Sequence, residues 1–127
     1  KNSMVSHCRI VLTECTEDSL TGEMQVSDNI KQPFGIVHGG ANCVLSETLG
    51  SIAANMVCDP EVYHGVGQSI TTNHIRAVRS GKIKGIAKPV HIGRTSHIWE
   101  IKTFNDANQL TSLTSLTMAI VKKLGKS

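Results

Sequence analysis

Gln32-Pro33-Phe34-Gly35-Ile36-Val37-His38-Gly39-Gly40-Ala41 runs directly into a segment that carries Glu47 and Ser51. Proline and glycine mark its first part as a tight turn, and the glycine pair then stands where a helix begins. From 41 to 56, Val44, Leu45, Leu49, Ile52, Ala53 and Met56 recur at three- and four-residue spacing, which gives a helix one apolar face. Asp59-Pro60 ends it. No other part of the chain shows a long helical pattern, so the remaining elements must pack around this one.

Before the helix, Cys8–Cys15 and Ser19–Val26 read as short strands about the polar turn Thr16–Asp18. After it, Gln68–Val78, Lys82–Val90, Thr95–Phe104 and Leu110–Val121 read as strands. They are separated by turns at Arg79-Ser80-Gly81 and Asn105-Asp106-Ala107-Asn108. Trp99 and Ile101 share one face against Glu100 and Lys102, whereas Leu110–Val121 has no strongly polar face and suits an internal position. Gly65-Val66-Gly67 lacks the rest of a dinucleotide fingerprint, and Arg79-Ser80-Gly81-Lys82 lacks phosphate-loop spacing, so both read as turns. Strands, one helix, then strands on short turns predict an α+β domain, an antiparallel sheet with the helix over one face. At 127 residues the chain is one domain, 1–127.

Aromatic residues make up only 3% of the chain, so the core is aliphatic. Cys8, Cys15, Cys43 and Cys58 show neither CxxC pairing nor zinc spacing and read as free thiols, with no metal site. No apolar run approaches the roughly 20 residues of a bilayer span, and Lys1-Asn2-Ser3-Met4 starts no signal peptide. A cytoplasmic protein with no membrane partner is expected. The net charge of +3 hides a segregation. Between Glu61 and Glu100 there is no acid, while Arg76, Arg79, Lys82, Lys84, Lys88 and Arg94 fall there with His64, His74, His91 and His97. Such a block suits a polyanionic ligand. A solvated strand face is the plainer reading, and nucleic acid is disfavoured by the scarcity of stacking aromatics.

The first amides of a helix lack internal partners and carry partial positive charge. Gly39 or Gly40 leaves them open to a carbonyl oxygen, where one donor to a developing oxyanion is worth about 3 kcal/mol. A turn that merely bends a strand into a helix explains the same glycines. Glu47 is the one charged residue from 41 to 56, and Ser51 follows four residues on along the same face. Such a carboxylate can activate water or attack a carbonyl itself. Cys43 is another nucleophile near the helix start, but no histidine is placed in sequence to pair with it. Gly39 and Glu47 are eight residues apart, about 12 Å along an axis at 1.5 Å per residue. One helix therefore does not easily place its own Glu47 on a carbonyl held at its start. Antiparallel helices from paired subunits can, so composite sites in a two-fold dimer are expected.

Residues 32–41, Glu47 and Gly50-Ser51, with Asn73-His74-Ile75-Arg76, Arg79-Ser80-Gly81 and His91-Ile92-Gly93-Arg94, resemble the signature of hotdog-fold acyl-CoA thioesterases of the phenylacetic-acid-degradation type. The likeness covers most of residues 20–121 and points to the branch of dihydroxynaphthoyl-CoA hydrolase and the enterobactin-synthesis proofreading thioesterase. It implies a hotdog, a sheet wrapped around one long central helix. Glu47 would be the catalytic base or nucleophile, and the Gly39 amide would polarise the thioester oxygen with help from the Gln32 side chain. His38 would support that geometry and Ser51 would orient water or the carboxylate. Gly40 and His74 would line the substrate, and Ser80, Gly81, Lys82, His91, Gly93 and Arg94 would contact pantetheine and nucleotide. The implied substrate is an aryl acyl-CoA or acyl-carrier-protein thioester, the assembly a homodimer pairing into tetramers. Coenzyme A belongs to the substrate, so no cofactor is implied. Two other readings use the same residues: a hotdog acyl-CoA hydratase or dehydratase employing His38 and Glu47, and a non-catalytic acyl-CoA-binding domain. Gln32 before Pro-Phe-Gly departs from the His-led pattern expected of the former, and an acid placed near a polyanion argues against the latter.

Overall fold

The computed structural model describes residues 10–26 and 39–123. In chain order the elements are β1 (Ile10–Cys15), β2 (Leu20–Gln25), α1 (Gly39–Met56), β3 (Tyr63–His74), β4 (Lys82–Ile92), β5 (Ser96–Phe104) and β6 (Leu110–Lys122). The strands form one antiparallel sheet ordered β1-β2-β4-β5-β6-β3, with β6 internal. α1 lies against β2 through β6. Among the described residues this is the expected α+β architecture, a sheet around one long helix. Cys8, Gln32 and His38 lie outside the described residues.

Periodicity misplaces one strand. β3 begins at Tyr63 and ends at His74, so Gly65-Val66-Gly67 is strand and not turn, and Ala77 and Val78 lie beyond it. The reason is contact with the helix. A Cβ on Gly65 would stand 3.4 Å from Asn55 Nδ2 and 3.6 Å from Ala54 Cβ, and one on Gly67 would stand 3.1 Å from Glu47 Oε2. The glycines mark a close approach rather than a chain reversal. The 75–81 segment is no hairpin either. Ile75 and Arg76 donate their amides to the Thr111 carbonyl at 2.8 and 3.1 Å, and Val78 is buried, as the chain leaves the β3 edge for interior β4. Gly81 closes that crossing with φ 83°, a conformation glycine adopts without strain.

The core lies between α1 and the concave side of the sheet, where Leu20, Met24, Leu45, Leu49, Ile83, Ile101, Leu116 and Met118 are buried. Leu49 fits a trough made by missing side chains, since a Cβ on Gly22 or on Gly85 would come within 2.7 Å of its methyls. Burying such a leucine contributes about 1.5–3 kcal/mol. The trough seats α1 across the sheet and fixes which helix residues reach β3.

Candidate active site

α1 starts at Gly39, so the glycine pair belongs to the first helical turn, and no acidic residue lies in that turn. The first amides of a helix have no partner within it and lie at the positive end of its dipole, an arrangement that suits an oxygen ligand. Glu47 is exposed, eight residues further along the same rod. Neighbours define which way its side of the helix looks. Cys43, one turn earlier, donates its thiol hydrogen to Thr72 Oγ1 at 3.6 Å. Glu47 Oε2 stands over Gly67, and Ala54 and Asn55 cover Gly65. The stripe 43-47-54 thus tracks β3, which is an edge strand with ten of its twelve residues exposed.

Asn55 fastens the two elements together, a role that sequence reading missed. Its Oδ1 accepts the Gly65 amide at 2.7 Å, and its Nδ2 donates to the Ser51 carbonyl at 2.8 Å. An exposed asparagine near a helix end gives no sequence signal for such a clasp. The half-buried Ser51 hydroxyl donates to Met118 Sδ at 3.9 Å and makes no hydrogen bond to Glu47.

The other candidates fall into separate groups. His74 ends β3, exposed, in register with Ser112. Ser80, Gly81 and Lys82 lie at the start of β4, while His91, Gly93 and Arg94 lie at or just beyond its end. β4 has eleven residues, so roughly 30 Å separates the groups at about 3.3 Å per residue. One protomer does not bring them together. The Lys82 amide already donates to Asp106 Oδ2 at 3.3 Å, and Lys82 Nζ lies 3.5 Å from Glu23 Oε1. A carboxylate therefore occupies the amide that a phosphate oxygen would use.

His97, first counted only as part of the basic block, is 2% exposed beside Trp99. The Trp99 indole donates to His97 Nδ1 at 3.3 Å. Indole is donor only, so Nδ1 is the acceptor and the neutral ring carries its proton on Nε2. Burial holds the pKa of His97 below the ordinary imidazole value, and the charge of His91 adds to the effect. Among the described residues no cluster of His, Cys, Asp or Glu is arranged to hold a metal ion. No described helix is long and apolar enough to cross a membrane.

An antiparallel sheet packed on one long helix, with an exposed carboxylate on that helix above the β3 edge, defines a hotdog fold. The comparisons agree. Residues 34–112 match the model of the thioesterase superfamily, and the chain belongs to that family. A Haemophilus influenzae thioesterase superposes with a TM-score of 0.94 at 36% identity, over 99% of this chain and 87% of that one. A mutant thioesterase of Pseudomonas aeruginosa superposes with a TM-score of 0.94 at 38% identity, over 96% and 88%. The 1,4-dihydroxy-2-naphthoyl-CoA hydrolase of Escherichia coli is 36% identical over 121 residues, 95% of this chain and 88% of the relative.

Proposed function

We propose that the chain is an acyl-CoA thioesterase, releasing a free acid and CoA from an aryl acyl-CoA at sites shared across a two-fold dimer. The observation that carries this reading is Glu47 standing exposed over the β3 edge, eight residues along the helix from the amides at Gly39. An edge strand of this length with unpaired backbone groups is a template for pairing with another chain. Antiparallel pairing of β3 with the same strand of a second copy sets the two α1 helices side by side and antiparallel, so the amides of one face Glu47 of the other.

The thioester oxygen then accepts from the Gly39 amide of one protomer, and Glu47 of its partner activates water or attacks the carbonyl carbon. Negative charge gathering on that oxygen is met by donors already in place. The thiolate of CoA leaves as the acyl group passes to water, directly or by way of Glu47. Carboxylate and backbone donors suffice for this chemistry, which needs no metal and no redox group. The kinship to a dihydroxynaphthoyl-CoA hydrolase supports an aromatic acyl group, and CoA thioesters as substrates suit a cytoplasmic enzyme. The test is thiol release from aryl- and alkyl-CoA esters by the parent and by Glu47→Ala. Turnover of the variant should fall at least ~100-fold with the fold intact, because the reacting group is gone. Near-parental rates in the variant would remove Glu47 from the mechanism.

A further inference from the structure

The last turn of α1, far from Gly39, forms one side of a pocket of about 170 Å³. Leu20, Ala53 and Trp99 are its buried apolar wall, which the exposed Met56 and Val57 extend. The turn between β1 and β2 supplies the other side. Glu47 lies nine residues before Met56, about 13 Å along the axis, so this pocket is separate from the proposed catalyst.

Its chemistry is divided. Trp99 commits its indole hydrogen to His97 Nδ1 at 3.3 Å, so it offers the pocket aromatic surface and no hydrogen bond. The polar side is negative. Glu17 and Asp18 are the charged residues that line the pocket, and both are exposed. α1 ends at the same pocket with Met56, and its last turn holds no basic residue to offset the negative end of the dipole. Hydrogen bonds fix the turn that carries the acids. Thr16 Oγ1 donates to Asp18 Oδ1 at 3.2 Å and pairs with Ser19 Oγ at 2.7 Å, while the Thr16 amide donates to the Ser19 carbonyl at 2.9 Å.

We propose that this pocket binds a small organic ammonium ion whose apolar body is about one ring in size. A cavity of about 150 Å³ accommodates benzene, so the volume fits one ring against Trp99 and Leu20. The ammonium group then lies toward the turn, where Glu17, Asp18 and the end of α1 all present negative charge. A neutral body of the same shape keeps the apolar contacts and loses this complement. A carboxylate in place of the ammonium meets like charge. The site does not depend on the hydrolytic reading.

Trp99 is the one tryptophan of the chain, so its emission reports on the pocket directly. The experiment titrates the parent and the double variant Glu17→Gln/Asp18→Asn at low salt with phenethylammonium, phenethyl alcohol and hydrocinnamate. Melting temperature is read alongside emission, because a ligand that binds the folded chain alone raises it. In the parent the ammonium should bind saturably and at least ~5-fold more tightly than the alcohol, a margin that added salt narrows. Hydrocinnamate should not bind. In the double variant the ammonium and the alcohol should bind alike. No saturable change in emission or melting with the ammonium overturns the proposal. So does an alcohol that binds the parent as tightly, or a preference for the ammonium that survives in the double variant.

Discussion

Gly67 lies directly beneath Glu47: a Cβ built on the glycine would stand 3.1 Å from the carboxylate Oε2. The contact couples an edge strand to the proposed catalyst. A side chain at 67 cannot be added without moving that carboxylate, because the separation is tighter than ordinary van der Waals contact. Gly67→Val should therefore lower kcat more than it raises KM, by about 10-fold or more, as expected when a reacting group is displaced. Thermal unfolding should change little, since position 67 is exposed and valine favours strands. Parental kcat in this variant would show that the position of Glu47 over β3 is immaterial.

Asn55 holds the same junction from the far side of Glu47. It pairs with the Gly65 amide and the Ser51 carbonyl, and so ties the second half of α1 to β3. Asn55→Leu should cost about 1–2 kcal/mol, the loss of exposed neutral hydrogen bonds. It should also lower kcat several-fold by freeing the helix to shift over the strand. Asn55→Asp, which keeps the acceptor for the Gly65 amide, should recover part of both. A leucine variant with unchanged melting and unchanged kcat would make the clasp incidental.

The composite site can be tested by mixing inactive chains. Glu47→Ala lacks the acid, and Gly39→Pro lacks the amide at the first helical position, where proline is tolerated. Each should be inactive alone. Coexpressed in equal amounts, they form mixed dimers in which one of the two sites has both parts. Activity should return to about a quarter of the parental level if pairing is random and the sites are shared across the two-fold. Mixed dimers detected by native mass spectrometry without any recovered activity would place both parts in a single protomer.

The long helix, the fold class and most strands were legible in the sequence because their apolar periods are regular. Trp99 and Ile101 alternate against Glu100 and Lys102 as a half-buried strand requires, and both are buried as expected. β3 was the exception. Tyr63 to His74 faces solvent along most of its length, so no burial pattern is written into it, and its glycines imitate a turn. Glu47 could be singled out as a lone charge on an apolar helix. Asn55 could not, because its role depends on which strand runs beneath that helix face. That is a property of sheet order, and the crossover from β3 at one edge to interior β4 leaves no local mark in the chain. His97 was legible only as a charge, whereas its enclosure follows from its pairing with Trp99.

His97 also makes stability depend on pH in a definite direction. Its neutral ring accepts from the Trp99 indole through Nδ1, and protonation would put a second donor against that indole, out of water and close to His91. The pKa in the folded state is accordingly below the ordinary value of 6.5. Above that value neither the folded nor the unfolded chain is protonated here, and the stabilisation is complete. As pH falls below it, the unfolded chain takes up the proton first, so stability declines until the lowered folded pKa is reached and then levels off. His97→Gln keeps an acceptor for the indole but removes the titration. Urea midpoints measured across pH 4.5 to 7.5 should fall toward acid more steeply in the parent than in the variant, with the curves parallel above about pH 6.5. Identical acid slopes in the two proteins would show that His97 is not the group whose charging destabilises the fold.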